Sequence, residues 1–139
     1  MSIERINPKG LYNSVAYGFS HATLQRGGAT VHLAGQVSWD ADGKLVGEGD
    51  LAAQVRQVLA NLKAVLECTR CQPQDIVRLR TYVVNHTPDK LGVVLGEMAT
   101  FFAGSVPPPN TFIGVQSLAL PEFLIEIEAI AAVPEATQS

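Results

Sequence analysis

The chain has 139 residues, 47% hydrophobic and 17% charged, which suits one folded domain over residues 1–139 and excludes a disordered chain. Its formal net charge is −3 and its basic residues are scattered, with only Arg78 and Arg80 close together, so nucleic acid is not an expected partner. No apolar run approaches the ~20 residues of a membrane span, and "MSIERINPKG" lacks the apolar core of a secretion signal, so a cytoplasmic protein with no membrane partner is expected.

A short strand is predicted near Ile3 to Ile6. "SVAYGFSHATLQRGG" reads as a second strand, with Gly27-Gly28 as a hairpin turn into a third from Thr30 to Val37. "DADG" closes that strand with a turn. In "GDLAAQVRQVLANLKAVLECT", Leu51, Val55, Val58, Leu59, Leu62, Val65 and Leu66 recur at helical spacing, and Asp50 stands at the N-cap. Cys68 and Cys71 follow at the helix end. There the dipole opposes a thiolate, and no further ligands stand at zinc spacing, so they read as packing cysteines with no metal.

"DIVRLRTYVVN" alternates Val77, Leu79, Thr81 and Val83 with Arg78, Arg80, Tyr82 and Val84, which is strand periodicity. "TPDKLGVVLGEMATFFAG" reads as a second helix, with Thr87 as cap, Pro88 in the first turn, and Leu91, Leu95, Met98 and Phe102 on its core face. Gly92 and Gly96 are spaced to allow close packing. "TFIGVQSLA" and "EFLIEIEAIAAV" close the chain as strands, and the tail "PEATQS" is expected to fray. The fold class is therefore α+β, with two helices on one face of the sheet. Phe123, Ile125, Ile127 and Ala129 would lie under the helices. Leu124, Glu126, Glu128 and Ile130 would share the other face, whose mixed character suggests burial against another subunit.

"AGQVSWDADGKL", "QVRQVLANLKAVL" and "IEIEAIA" resemble the RidA/YjgF family of small deaminases, over about Tyr17 to Ala132. Gly35-Gln36, Asn61 and the closing segment are the most specific pieces. The resemblance implies a chorismate-mutase-like fold, with a mixed β-sheet, and a homotrimer with small-molecule clefts between subunits. It implies hydrolysis of reactive enamines and imines to keto acids and ammonia, with no cofactor.

The resemblance also assigns a site. Glu126 matches the family glutamate and would be the catalytic acid/base. The family's P-A-R-[ST] motif falls on Pro108, Pro109, Asn110 and Thr111, so Asn110 stands where an arginine grips the substrate carboxylate. Ala34 takes the place of a serine, Phe112 of a cysteine and Leu95 of an asparagine. Phe19 holds the aromatic position, with Tyr17 able to stand in. Losing an arginine from a desolvated carboxylate site costs about 2–5 kcal/mol of binding. The expected substrate is therefore an imine or enamine other than a simple 2-imino acid. The alternative is a non-catalytic ligand-binding or regulatory homotrimer. Glu126 could instead pair with Arg78 or Arg80, either of which could replace the lost charge, and Asn110 could serve strand-edge backbone groups. His21 and His32 are lone histidines without a motif, Ser20 and Ser38 lack a nucleophile context, and Trp39 reads as interface filler.

Overall fold

The computed structural model describes residues 1–135; the last four residues of the expected frayed tail lie outside them. In chain order the elements are β1 (Ser2–Ile6), β2 (Ala22–Arg26), β3 (Ala29–Gln36), α1 (Leu51–Cys68), β4 (Ile76–Val84), α2 (Pro88–Phe102), β5 (Asn110–Val115) and β6 (Ile125–Val133). The main sheet runs β3-β6-β4-β5, mixed as expected: β6 is antiparallel to both neighbours, while β5 is parallel to β4.

Alternation along β6 and β4 sets the two faces. Ile125, Ile127, Ala129, Leu79, Thr81 and Val83 are buried under the helices. Glu126, Glu128, Ile130, Arg78, Arg80 and Tyr82 take the opposite face, half-buried or exposed, and no helix covers it. α1 supplies the largest share of the core through Val55, Val58, Leu59, Leu62 and Leu66, the stripe its periodicity predicts. Asp50 caps it, its carboxylate accepting from the Ala53 N–H at 3.1 Å. Asp50→Ala should lower stability by about 1 kcal/mol, read as a matching fall in a urea-unfolding midpoint with the slope unchanged.

Six local expectations need correction. β2 does not pair with β3; it pairs with β1 in a separate two-stranded sheet. Gly27 and Gly28 both take positive φ (68° and 75°) and turn the chain out of one sheet into the other. The first half of the expected second strand is a 3-10 turn, Ser14–Tyr17, ended by Gly18 at φ 86°. Its Ser14 hydroxyl donates to Asn7 Oδ1, the Asn7 amide donates to Ser20 Oγ, and Ser20 donates to the Pro107 carbonyl at 2.6 Å. This polar chain ties the loop to the proline run. On α2 the buried stripe is Val94, Met98 and Phe102, while Leu91 and Leu95 are only half-buried. Val94 and Leu95 are adjacent and about 100° apart on the helix, so only one of their faces can meet the core. Thr87 does not cap α2 with its side chain; its hydroxyl bonds the Asp89 carboxylate instead. Gly92 and Gly96 have no neighbour within 4 Å of an added Cβ, so their spacing serves no packing contact. Cys71 is buried as expected, but Cys68 is exposed at the end of α1.

Candidate functional site

The proline run fixes where β5 begins. Pro109 accepts from the Leu79 N–H at 2.8 Å and Pro108 from the Ser20 N–H at 3.2 Å. β5 therefore starts in register with β4, with Asn110 beside Leu79 and Phe112 beside Thr81. Leu79 and Thr81 face the helices, so Asn110 and Phe112 do too. They border a cavity of about 580 Å³ beside α2. Leu91 and Leu95 of α2 form one wall, and Tyr12, Tyr17 and Phe19 of the N-terminal loop form another. Gly18 lets that loop sit on α2, where an added Cβ would stand 3.0 Å from Leu95. Tyr12 meets Tyr17 and Phe19 edge-on, each at 6.3 Å between ring centroids.

Asn110 is bonded inward. Its Oδ1 accepts from the Thr81 hydroxyl at 3.0 Å, and its amide points at the Met98 sulfur at 3.7 Å. The alternative of an asparagine serving strand-edge backbone is replaced by one that serves buried side chains. Among the described residues, no lysine, arginine or carboxylate lines the cavity, and neither Arg78 nor Arg80 reaches it.

Glu126 and Ala34 lie elsewhere, on the uncovered sheet face. Glu126 stands beside Tyr82 in register, and its carboxylate occupies the space a side chain at Gly35 would need. Burial pushes the Glu126 carboxyl above the usual carboxylate range, and the nearby Glu128 adds to the rise. It is not held by Arg78 or Arg80. Arg80 instead sits 3.7 Å from Glu128, which also accepts from the Tyr82 hydroxyl at 2.6 Å. That bond holds the Tyr82 phenol above its ordinary value. His32, Arg78, Arg80 and Glu128 border a smaller hollow of about 280 Å³ on the same face. Trp39 stacks edge-on against Phe123 at 5.3 Å, and Asn61 donates to the Val37 and Trp39 carbonyls, which fixes the turn after β3.

The structure thus brings together Tyr17, Phe19, Leu95, Asn110 and Phe112, and sets Glu126 and Ala34 across the sheet from them. It adds Tyr12, Leu91 and His86. Tyr12 and His86 are the two of these that sequence reasoning passed over, and His86 is the less legible. Its only signal is position: it follows Asn85, at φ 48°, where β4 gives way to α2.

Comparison with known proteins agrees with this geometry. A RutC family protein of Pyrococcus horikoshii is 33% identical over 107 residues, covering 76% of this chain and 81% of its own. The 2-iminobutanoate/2-iminopropanoate deaminase of Rattus norvegicus is 34% identical over 104 residues, 73% of this chain and 72% of its own. The crystal structure of YyfB from Yersinia pestis, described as a protein of unknown function of the conserved Rid family, superposes with a TM-score of 0.92 at 56% identity, over 95% of this chain and 99% of its own. The profile of the family described as Endoribonuclease L-PSP matches residues 12–133. With its α+β fold, two helices on one face of a mixed sheet, the chain belongs to that family, the RidA/YjgF family its sequence resembles.

Proposed function

We propose that the chain forms a homotrimer whose intersubunit cleft hydrolyses an imine or enamine other than a simple 2-imino acid. The observation that carries this reading is Glu126, a carboxyl pushed toward neutrality, free of the arginines beside it and standing on a sheet face that no helix covers. The reading requires a second copy, packed on that face, to set its Glu126 at the rim of the first copy's cavity, since within one copy the two lie on opposite faces of the sheet. The deaminase name of the rat relative supports the reaction class. The cavity, lined by no fixed charge among the described residues, supports a substrate without a carboxylate.

The chemistry needs one group that both gives and takes a proton near neutral pH. Water adds to the C=N carbon, and the π pair moves to nitrogen, which takes the Glu126 proton. The carboxylate regains a proton from the added water, leaving a carbinolamine. Glu126 then protonates the amine, the C–N bond breaks, and ammonia leaves as the hydroxyl proton returns to the carboxylate. The products are a carbonyl compound and ammonia. The aromatic walls hold the substrate and exclude water from its far side.

The test compares ammonia release from two imine sources. A flavin amine oxidase acting on benzylamine makes an uncharged imine, and an amino-acid oxidase makes a 2-imino acid. Acceleration of the first and little of the second is expected. Preference for the second would overturn the specificity, and acceleration of neither would shift the reading to the non-catalytic ligand-binding trimer.

A further inference from the structure

The cavity contains one imidazole, to which the family resemblance assigns nothing. His86 lines it, edge-on to Phe112 at 4.9 Å and 61°. The ring is held against β5: a Cβ at Gly114 would stand 2.9 Å from His86 Cβ. Its Nδ1 is the one buried side-chain nitrogen or oxygen without a hydrogen-bond partner among the described residues. A buried N–H without an acceptor is rarer than a buried lone pair without a donor. The neutral ring therefore keeps its proton on Nε2, where it is a donor that no protein atom among the described residues takes up.

The nearby amide, ammonium and carboxylate groups are committed. Asn110 uses its oxygen on Thr81 and directs its amide to Met98. Lys90, in the first turn of α2, spends its ammonium on the Val84 and Asn85 carbonyls, at 3.2 and 2.8 Å. Asp89 is held by Thr87. What remains is the His86 ring N–H set among flat, largely apolar walls, with the hydroxyls of the exposed Tyr12 and Tyr17 the other uncommitted polar groups of the lining. That arrangement suits a planar, uncharged molecule with one hydrogen-bond acceptor at its edge, and it offers an anion no fixed charge.

We propose that His86 is a specificity-determining contact of this cavity, donating from Nε2 to the carbonyl oxygen or imine nitrogen of an uncharged aromatic ligand. This deepens the proposed function and rests on the cavity being its ligand site. The probes are benzamide and benzoate, which share a shape and differ in charge. The chain has three histidines, so long-range proton–nitrogen correlation resolves each ring, and His86→Gln assigns the relevant one.

Benzamide should shift the His86 ring signals, leave those of His32 in place, and bind more tightly than benzoate. His86→Phe, which keeps an aromatic wall and removes the donor, should weaken benzamide about tenfold, the worth of one hydrogen bond. Benzamide that fails to bind, that binds with equal strength to His86→Phe, or that binds more weakly than benzoate would overturn the proposal. Ammonia release reports on the other reading separately. Turnover of the uncharged imine with His86 silent sinks only this inference, whereas benzamide bound at His86 without turnover sinks only the catalysis.

Discussion

Gln54→Leu should lower stability by on the order of 3 kcal/mol and the unfolding temperature by about 10 °C. Gln54 is fully buried in α1, yet it is not a core residue in the ordinary sense. Its amide nitrogen donates to the carbonyls of Gly47 at 3.1 Å and Glu122 at 3.0 Å, and its oxygen accepts from the Leu124 N–H at 2.9 Å. One side chain thus satisfies backbone groups on two loops, the one that leads into α1 and the one that leads into β6. Leucine fills similar space but leaves those buried groups without partners, at about 1–3 kcal/mol for each that water cannot reach. Thermal unfolding followed by circular dichroism measures this, with Gln116→Leu on the exposed segment after β5 as control. A fall no larger than the control's would mean the two loops find other partners.

Glu126→Gln should reduce imine turnover by roughly 10²- to 10⁴-fold, the usual worth of a positioned acid or base, and should not destabilise the fold. The two halves separate chemistry from structure. Glutamine keeps the shape and hydrogen-bonding reach of the side chain but cannot exchange a proton at neutral pH. The stability half follows from the raised carboxyl. The native chain binds this proton more tightly than the unfolded chain, so native stability falls as pH rises from the ordinary carboxylate range through the raised value. Glutamine never ionises and removes that loss. The variant should therefore be at least as stable as the parent at pH 7, with the two converging below the ordinary carboxylate range. Steady-state ammonia release and paired thermal melts at both pH values check the two halves. Retained turnover would remove Glu126 from the chemistry.

Much of the fold could be read from periodicity, because where one face is buried the pattern leaves little choice. Strict alternation placed the side chains of β6 and of β4 from Arg78 on the correct faces, but missed the register shift that buries Ile76 in place of Val77, and the apolar positions of α1 named its core stripe. α2 was harder, since Val93, Val94 and Leu95 are all apolar and neighbouring stripes compete. The departure of β2 from β3 was not legible because a pair of glycines permits several directions, and packing against Met1 and Val133 selects one. Gln54 read as one more polar helix residue, since its partners are loops distant in sequence.

The site divides in the same way. Tyr17, Phe19, Leu95, Asn110 and Phe112 were reached only through the family pattern, and they do meet around one cavity. The inward bonding of Asn110 depends on its register with Thr81, which no single strand reveals. His86 has no motif at all, because what marks it is an empty hydrogen-bond position, a property of the folded chain.

The separation of Asn110 and Glu126 onto opposite faces of one sheet has a genetic consequence. If each cleft of the proposed trimer takes its cavity from one subunit and its glutamate from the next, two inactive proteins can repair one another. A chain disabled at the cavity and a chain disabled by Glu126→Gln, unfolded and refolded together in equal amounts, would form mixed rings, and about a quarter of all clefts would draw both parts from intact sources. Activity would reappear in a mixture of two preparations that each lack it.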